Sequence, residues 1–196
     1  MVYHSDMIVF DFDGVISDSV KWFDDLAIYL SSLGRVENAG VLEWMIRNAS
    51  ARWLRGEWDD ERFVEEINLA FPLTIDLADV EEACRRSMRI DERVYAILTR
   101  LESTAVFTDN PRVRARIIQE LVPSAQVTYS QLVGKRKHDP SGFEGFVRES
   151  GITRGLFIDD YPPNIEAARK AGFETLRWQL GKDSYDELES AIRSAR

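Results

Sequence analysis

Near the N-terminus the chain reads "IVFDFDGVISDS", Ile8 to Ser19, so that an apolar run ends in two aspartates separated by one residue. In an extended segment, residues i and i+2 face the same side, roughly 6.6 Å apart. Two bare carboxylates placed there repel, and one tends to stay protonated. A bound cation removes the conflict. Mg2+ takes oxygen ligands in near-octahedral geometry, usually one or two carboxylates with water and phosphate oxygens. Further polar groups follow later apolar runs: Thr108-Asp109-Asn110, then Lys135-Arg136-Lys137, then Asp159-Asp160. Carboxylates, a hydroxyl and a lysine suit a divalent cation and a phosphate held side by side. On this reading Asp11 and Asp160 supply carboxylates to the cation. Asp13 is then free for proton transfer, and Gly14 allows the tight turn that follows.

These residues share a site only if the elements carrying them share an edge. Strand-length apolar runs occur at Met7–Phe10, Ala105–Phe107, Gln126–Tyr129, Leu156–Ile158 and Thr175–Trp178. They are mostly apolar on both parities, as buried parallel strands are. Helical patterns follow most of them, at Pro111–Leu121, Ser141–Glu149, Pro162–Ala171 and Ser184–Ala195. Strand–helix alternation predicts a doubly wound, Rossmann-like parallel α/β sheet. Ligands bind such a sheet outside the carboxyl ends of its strands, which is where every polar group named above would lie. Asn110-Pro111, Asp139-Pro140 and Pro162-Pro163 read as helix starts whose free N–H groups face the same edge.

Residues 17–90 break the alternation and read as all-helical. Trp22, Leu26 and Leu30 form one apolar stripe, stopped by Gly34. Leu42, Ile46, Ala49 and Trp53 form a second; Phe63, Ile67 and Ala70 a third, stopped by Pro72; Val80, Cys84 and Ser87 a fourth. The predicted organisation is therefore an α/β core of residues 1–16 and 91–196, with an inserted helical cap at 17–90. Four of the five tryptophans, Trp22, Trp44, Trp53 and Trp58, fall in the insertion. They are read as the core of a small helical bundle rather than as an aromatic wall over a ligand.

The chain has 196 residues, 44% hydrophobic, and a formal net charge of -9. That balance argues against nucleic-acid or membrane-surface binding, which call for a basic face. An anionic ligand would need local positive groups or a metal ion. No stretch approaches the roughly 18 apolar residues of a membrane span, and the first residues lack the pattern of a secretory leader. The single cysteine, Cys84, excludes an internal disulfide, and a reducing, cytoplasmic setting is expected. His4 and His138 are not in zinc-ligand spacing.

Taken in order, the motifs resemble the haloacid dehalogenase (HAD) superfamily across nearly the whole chain. The quoted residues are "IVFDFDGV", "AVFTDN", "KHDP" and "GLFIDDYPPNIEAARKAGF". The insertion resembles that superfamily's C1-type helical cap, and the nearest look is the beta-phosphoglucomutase-like and sugar-phosphate phosphatase branch. The resemblance implies a Mg2+-dependent phosphatase acting on a small phosphorylated metabolite. It implies Asp11 as nucleophile, forming an aspartyl-phosphate, and Asp13 as the acid and then the base. Thr108, the amide at Asp109 and Lys137 would hold phosphoryl oxygens. Asp11, the carbonyl of Asp13 and Asp160 would hold the metal, with Asp159 in support. His138 stands where the family usually has proline, and Asp109 where a neutral residue is common. Lys135 is the alternative phosphate lysine; the Asp-Pro that follows Lys137 favours Lys137. The same motifs serve a phosphomutase, and a non-enzymatic regulator on this fold is the rival of another class. Asp18 and Ser19 are read as caps of the first inserted helix and Asn164 as helix-start structure. Arg112, Arg114, Arg136 and Lys135 are read mostly as solvated surface charge.

Overall fold

A strand with apolar residues on both faces needs cover on both sides, and the arrangement of this chain follows from that need. The structure, a computed structural model, describes residues 7–195; His4 lies outside them. Strand β1 (Ile8–Phe10) is followed by helices α1 (Trp22–Gly34), α2 (Asn38–Trp44), α3 (Ser50–Leu54), α4 (Asp60–Ala70) and α5 (Leu77–Ser87). The chain then runs through α6 (Glu92–Leu98), β2 (Thr104–Thr108), α7 (Arg112–Leu121), β3 (Gln126–Tyr129) and α8 (Ser130–Val133). It ends with α9 (Gly142–Ser150), β4 (Leu156–Asp159), α10 (Pro162–Lys170), β5 (Glu174–Arg177) and α11 (Tyr185–Ser194).

The five strands form one parallel sheet in the order β3-β2-β1-β4-β5. Every residue of β1, β2 and β4 is buried, whereas the edge strands β3 and β5 are mixed. Phe10 lies opposite Val106 and Ile158. On one face Ile8, Phe10, Val106 and Ile158 pack with residues of α6, α7 and α11, among them Leu98, Ile118 and Leu188. On the other, Val9, Ala105, Phe107 and Phe157 meet Phe143 and Phe146 of α9 and Ile165 of α10. This is the doubly wound α/β core that strand–helix alternation predicts.

Helices α1–α5 build a separate apolar cluster around Trp22, Leu26, Leu30, Met45, Trp53, Phe63, Ile67 and Val80, and rest it on Val113 and Ile117 of α7. Trp53 stacks on Phe63 with ring centroids 3.8 Å apart. Two details depart from the sequence reading. A π-helical turn, Met45–Ala49, separates α2 from α3. Its wider turn aligns Val41, Met45, Ala49 and Trp53 on the buried face, and Ile46 is left 58% exposed. Gly34 is helical and not left-handed; the left-handed residue that ends α1 is Arg35, at φ 53°. Gly34 is needed for a close approach, since a Cβ there would lie 2.1 Å from Leu73 Cδ2. Ala70, expected on the third stripe, is exposed.

The chain crosses between sheet and helices at residues 13–19 and 87–91. The crossings are stitched together by bridges between Asp13 and Ser17 and between Ser17 and Ile90.

Candidate active site

Because β1, β2 and β4 are in register, their carboxyl ends finish side by side. The Asp11 amide donates to the Ile158 carbonyl at 2.8 Å, which brings Asp11 level with Asp159. Gly14 turns the chain away at φ +91°, and a Cβ there would sit 2.7 Å from Asp160 Oδ2. Both the conformation and the space therefore require glycine. The result is a cavity of about 290 Å3 lined by Asp11, Asp13, Thr108, Asp109, Lys137 and Asp160 among others, with Val20 and Trp22 contributed by the helical block.

Lys137 is buried at the base of this cavity. Its Nζ lies 2.7 Å from Asp11 Oδ1 and 2.7 Å from Asp159 Oδ2. Burial, the largest single influence, disfavours the ammonium, but Asp11 and Asp159 overcome it and hold the Lys137 pKa above the usual lysine range. Lys135 is exposed. Asp11 Oδ1 also accepts the Phe12 amide at 2.6 Å. Burial pushes the Asp11 carboxyl well above its usual range, with Lys137 opposing and Asp159 and Asp13 adding to the rise. Asp160 is raised as well, first by burial and then by Asp159.

Carboxylate oxygens of Asp11, Asp159 and Asp160 lie within 4.8 Å of one another. With the Asp11 and Asp160 carboxyls both raised by burial, the cluster holds more like charge than its surroundings offset, and a hard divalent cation with oxygen preference fits it. Asp159 is already heavily engaged. It accepts from Lys137 Nζ, from the Tyr161 amide at 2.8 Å and from Asn164 Nδ2 at 3.1 and 3.0 Å. Asp11 and Asp160 are the members with less committed oxygens.

Asp13 lines the same cavity and is held by a different set of partners. Its Oδ1 accepts from Ser19 Oγ at 2.6 Å and Arg114 Nη2 at 2.6 Å, and its Oδ2 from Asn110 Nδ2 at 2.8 Å. Asn110 Nδ2 also donates to Thr108 Oγ1 at 2.6 Å. The Asp109 carboxylate ties down the lysine loop. It accepts the Lys137 amide at 2.9 Å and Arg136 Nε at 3.3 Å. The ion pair with Arg136 offsets its charge.

Several residues do work that their positions in sequence conceal. Asn110 is no helix cap, since Pro111 takes the N-cap position of α7. Ser19 caps no helix by its side chain; α1 follows Lys21 with no side-chain cap. Asp139 does not cap α9 either, which starts after Ser141. Instead it takes a two-pronged contact from Arg55, at 2.7 and 2.7 Å. Asn164 holds both oxygens of Asp159, and its Oδ1 lies 3.2 Å from His138 Nδ1. Arg114 is wholly buried. Cys84 has no role in the site: it is buried, and burial, opposed in part by Arg114, pushes its thiol up to about 12.

The helical block meets the core on this same edge. Arg112 of α7 pairs with Asp60 and Glu61, and Gln131 of α8 donates to the Trp58 carbonyl at 2.9 Å. No helix among the described residues is long and apolar enough to cross a membrane.

No protein-family model matches the chain, and no curated protein matches it in sequence. Solved structures do match. The chain is similar to a predicted HAD-like family hydrolase from Porphyromonas gingivalis, with TM-score 0.72 and 19% identity over 95% of this chain and 97% of that one. It is similar to a HAD family enzyme from Bacteroides thetaiotaomicron in complex with magnesium and inorganic phosphate, with TM-score 0.70 and 15% identity over 92% and 98%. It is also similar to the L-2-haloacid dehalogenase from Xanthobacter autotrophicus, with TM-score 0.59 and 17% identity over 97% and 83%. The five-stranded parallel sheet with helices on both faces is thus a fold that this chain shares with HAD-like hydrolases.

Proposed function

We propose that the protein is a Mg2+-dependent phosphatase of the HAD type, acting on a small phosphomonoester, with residues 17–90 serving as a cap over the site. The observation that carries the reading is the Lys137 ammonium held between Asp11 and Asp159, with Thr108, Asp13 and Asp160 around the same cavity. An Asp11 oxygen attacks phosphorus as the bond to the alcohol oxygen breaks. The electron pair goes to that oxygen, which takes a proton from the Asp13 carboxyl. Asp13, now a carboxylate, takes a proton from water as the water oxygen bonds to phosphorus and the aspartyl-phosphate opens, returning Asp11. Lys137 and Thr108 supply positive charge and a hydroxyl to the phosphoryl oxygens, where stabilisation matters most. Asp11 and Asp160, with Asp159 in support, would hold Mg2+, which neutralises charge between carboxylates and phosphate.

The haloacid dehalogenase reading is set aside on chemistry. A halide leaves as a stable anion and takes no proton, so that reaction has no use for Asp13 beside the nucleophile.

The test is a panel of sugar phosphates, nucleotides and phosphorylated acids assayed for phosphate release with Mg2+, beside 2-haloacids assayed for halide. We expect phosphate from at least one small ester, loss of release with EDTA, and recovery on adding Mg2+. Mg2+ should also raise the melting temperature of the parent chain but not of Asp160→Asn. Halide release without phosphate release would overturn the reading. An isomerised sugar phosphate in place of free phosphate would reassign it to a mutase.

A further inference from the structure

None of the Arg114 side chain is exposed, although its neighbours on α7, Val113 and Ile117, fill the same depth with apolar groups. Burying a guanidinium is costly unless its donors are met, so an arginine here does something that packing alone would not require. Its donors are met in a particular way. Nη2 donates to Asp13 Oδ1 at 2.6 Å and to Ser19 Oγ at 3.0 Å, and Nη1 donates to Ser87 Oγ at 2.8 Å. The Trp22 ring lies 4.7 Å from the guanidinium carbon and covers it. Nε is buried with no partner among the described residues, so Arg114 is placed for Nη1 and Nη2 at the expense of Nε.

Ser19 and Ser87 belong to the two chain crossings between core and helical block. The planar fork is therefore fixed against both crossings at once, and its remaining contact falls on Asp13. Asn110 holds the other Asp13 oxygen. Turning this carboxylate would break contacts on both sides of it.

We propose that Arg114 is the positioning residue for Asp13, its fork fixing the carboxylate where it can serve the oxygen that leaves phosphorus. The chemical half of this inference rests on the phosphatase reading; the geometric half does not.

The test compares the parent with Arg114→Lys, Arg114→Met and Ser87→Ala. Ser87→Ala loosens the fork without touching Asp13 and removes only one hydroxyl, so it should fold. Crystal structures give the position of Asp13. Values of kcat/KM, which cover the steps up to loss of the alcohol, are taken on two esters. The leaving group of p-nitrophenyl phosphate needs no proton, whereas that of glycerol phosphate does. We expect Asp13 to turn away from its parent position in Arg114→Met. We expect kcat/KM for glycerol phosphate to fall at least about tenfold further than for the nitrophenyl ester in the Arg114 variants, within the range a misplaced acid allows. Ser87→Ala should show the same bias in smaller measure. A folded Arg114 variant whose Asp13 stays within about 0.5 Å of its parent position overturns the inference, as does an equal loss on both esters. If neither Arg114 variant folds, Ser87→Ala decides, and parent behaviour there overturns it. A parent that releases phosphate from no ester sinks the phosphatase reading instead, and the position of Asp13 still decides the geometric half.

Discussion

Asp11 illustrates a residue whose environment works against its own charge. Its carboxyl is raised mainly by burial, so the folded metal-free chain binds that proton more tightly than the unfolded chain does. The associated stability is present at acid pH and is lost as pH rises through the raised value. Asp11→Asn keeps the neutral form at every pH. We expect it to abolish phosphate release and to raise the metal-free melting temperature near neutral pH, by roughly 2–4 °C for each kcal/mol relieved. The gain should close toward acid pH. Release within about tenfold of the parent, or ~1.4 kcal/mol of barrier, would exclude Asp11 as nucleophile. A lower melting temperature at neutral pH would exclude the charge crowding. Lys137 has the opposite character, since its ammonium is what holds Asp11 and Asp159 together. Lys137→Ala should cut phosphate release by at least about 10^2-fold and destabilise the fold by roughly 3–5 kcal/mol, as breaking a buried ion pair does. Lys135→Ala should leave both within measurement error; a larger loss there than at Lys137 would move the phosphate lysine. The residues that meet around Lys137 are readable in the chain because each follows an apolar strand directly. Arg114, Asn110, Ser19 and Asn164 are not readable in this way. Their residue types are commonest at surfaces, turns and caps, and only the meeting of α7, the two crossings and α10 turns them inward.

At the scale of elements, the strands of this chain are more legible than its helix starts. Short apolar runs ending in polar residues mark β1, β2 and β4 within a residue or two, because burial on both faces leaves no other pattern. Helices start later than the sequence predicts where the would-be cap has a better partner, as Asp139 has in Arg55 and Asn110 has in Asp13. In the second inserted stripe Ala49 and Trp53 are buried as the sequence predicts, but Val41 and Met45 take the places expected of Leu42 and Ile46, because a π turn is silent in an apolar stripe. The Arg55–Asp139 pair ties the turn after α3 to the start of the segment leading into α9 and so to the lysine loop. Arg55, through its hydrogen bonds, holds the Asp139 carboxyl below its usual range. That stability is present above the ordinary carboxylate pKa and is lost as pH falls through the lowered one. The guanidinium is 37% exposed, so solvent weakens the pair. We expect Arg55→Met to cost about 0.5–1 kcal/mol at neutral pH and progressively less as pH falls below the ordinary carboxylate range, read from melting curves at neutral and acid pH. An undiminished cost in acid would assign the loss to packing instead.

For the whole molecule, the sheet order places β1 at the centre, between strands that come much later in the chain. Asp11 and Asp13 thus follow the first strand, Thr108 ends the second, Lys137 lies in the loop after the third, and Asp159 and Asp160 come at the end of the fourth. Translation makes these pieces in that order. When β1 has left the ribosome, the next residues made are those of α1–α5, which hold most of their own apolar cluster. The helices can therefore consolidate first, while Val9 and Phe10 wait uncovered for β2 and β4. Nascent chains arrested after α6 should resist protease across α1–α5 yet remain cleavable at β1. Protection of β1 should appear only once β4 has emerged. Protection of β1 in the shorter chains would show that its neighbours in the sheet are not what shelter it during synthesis.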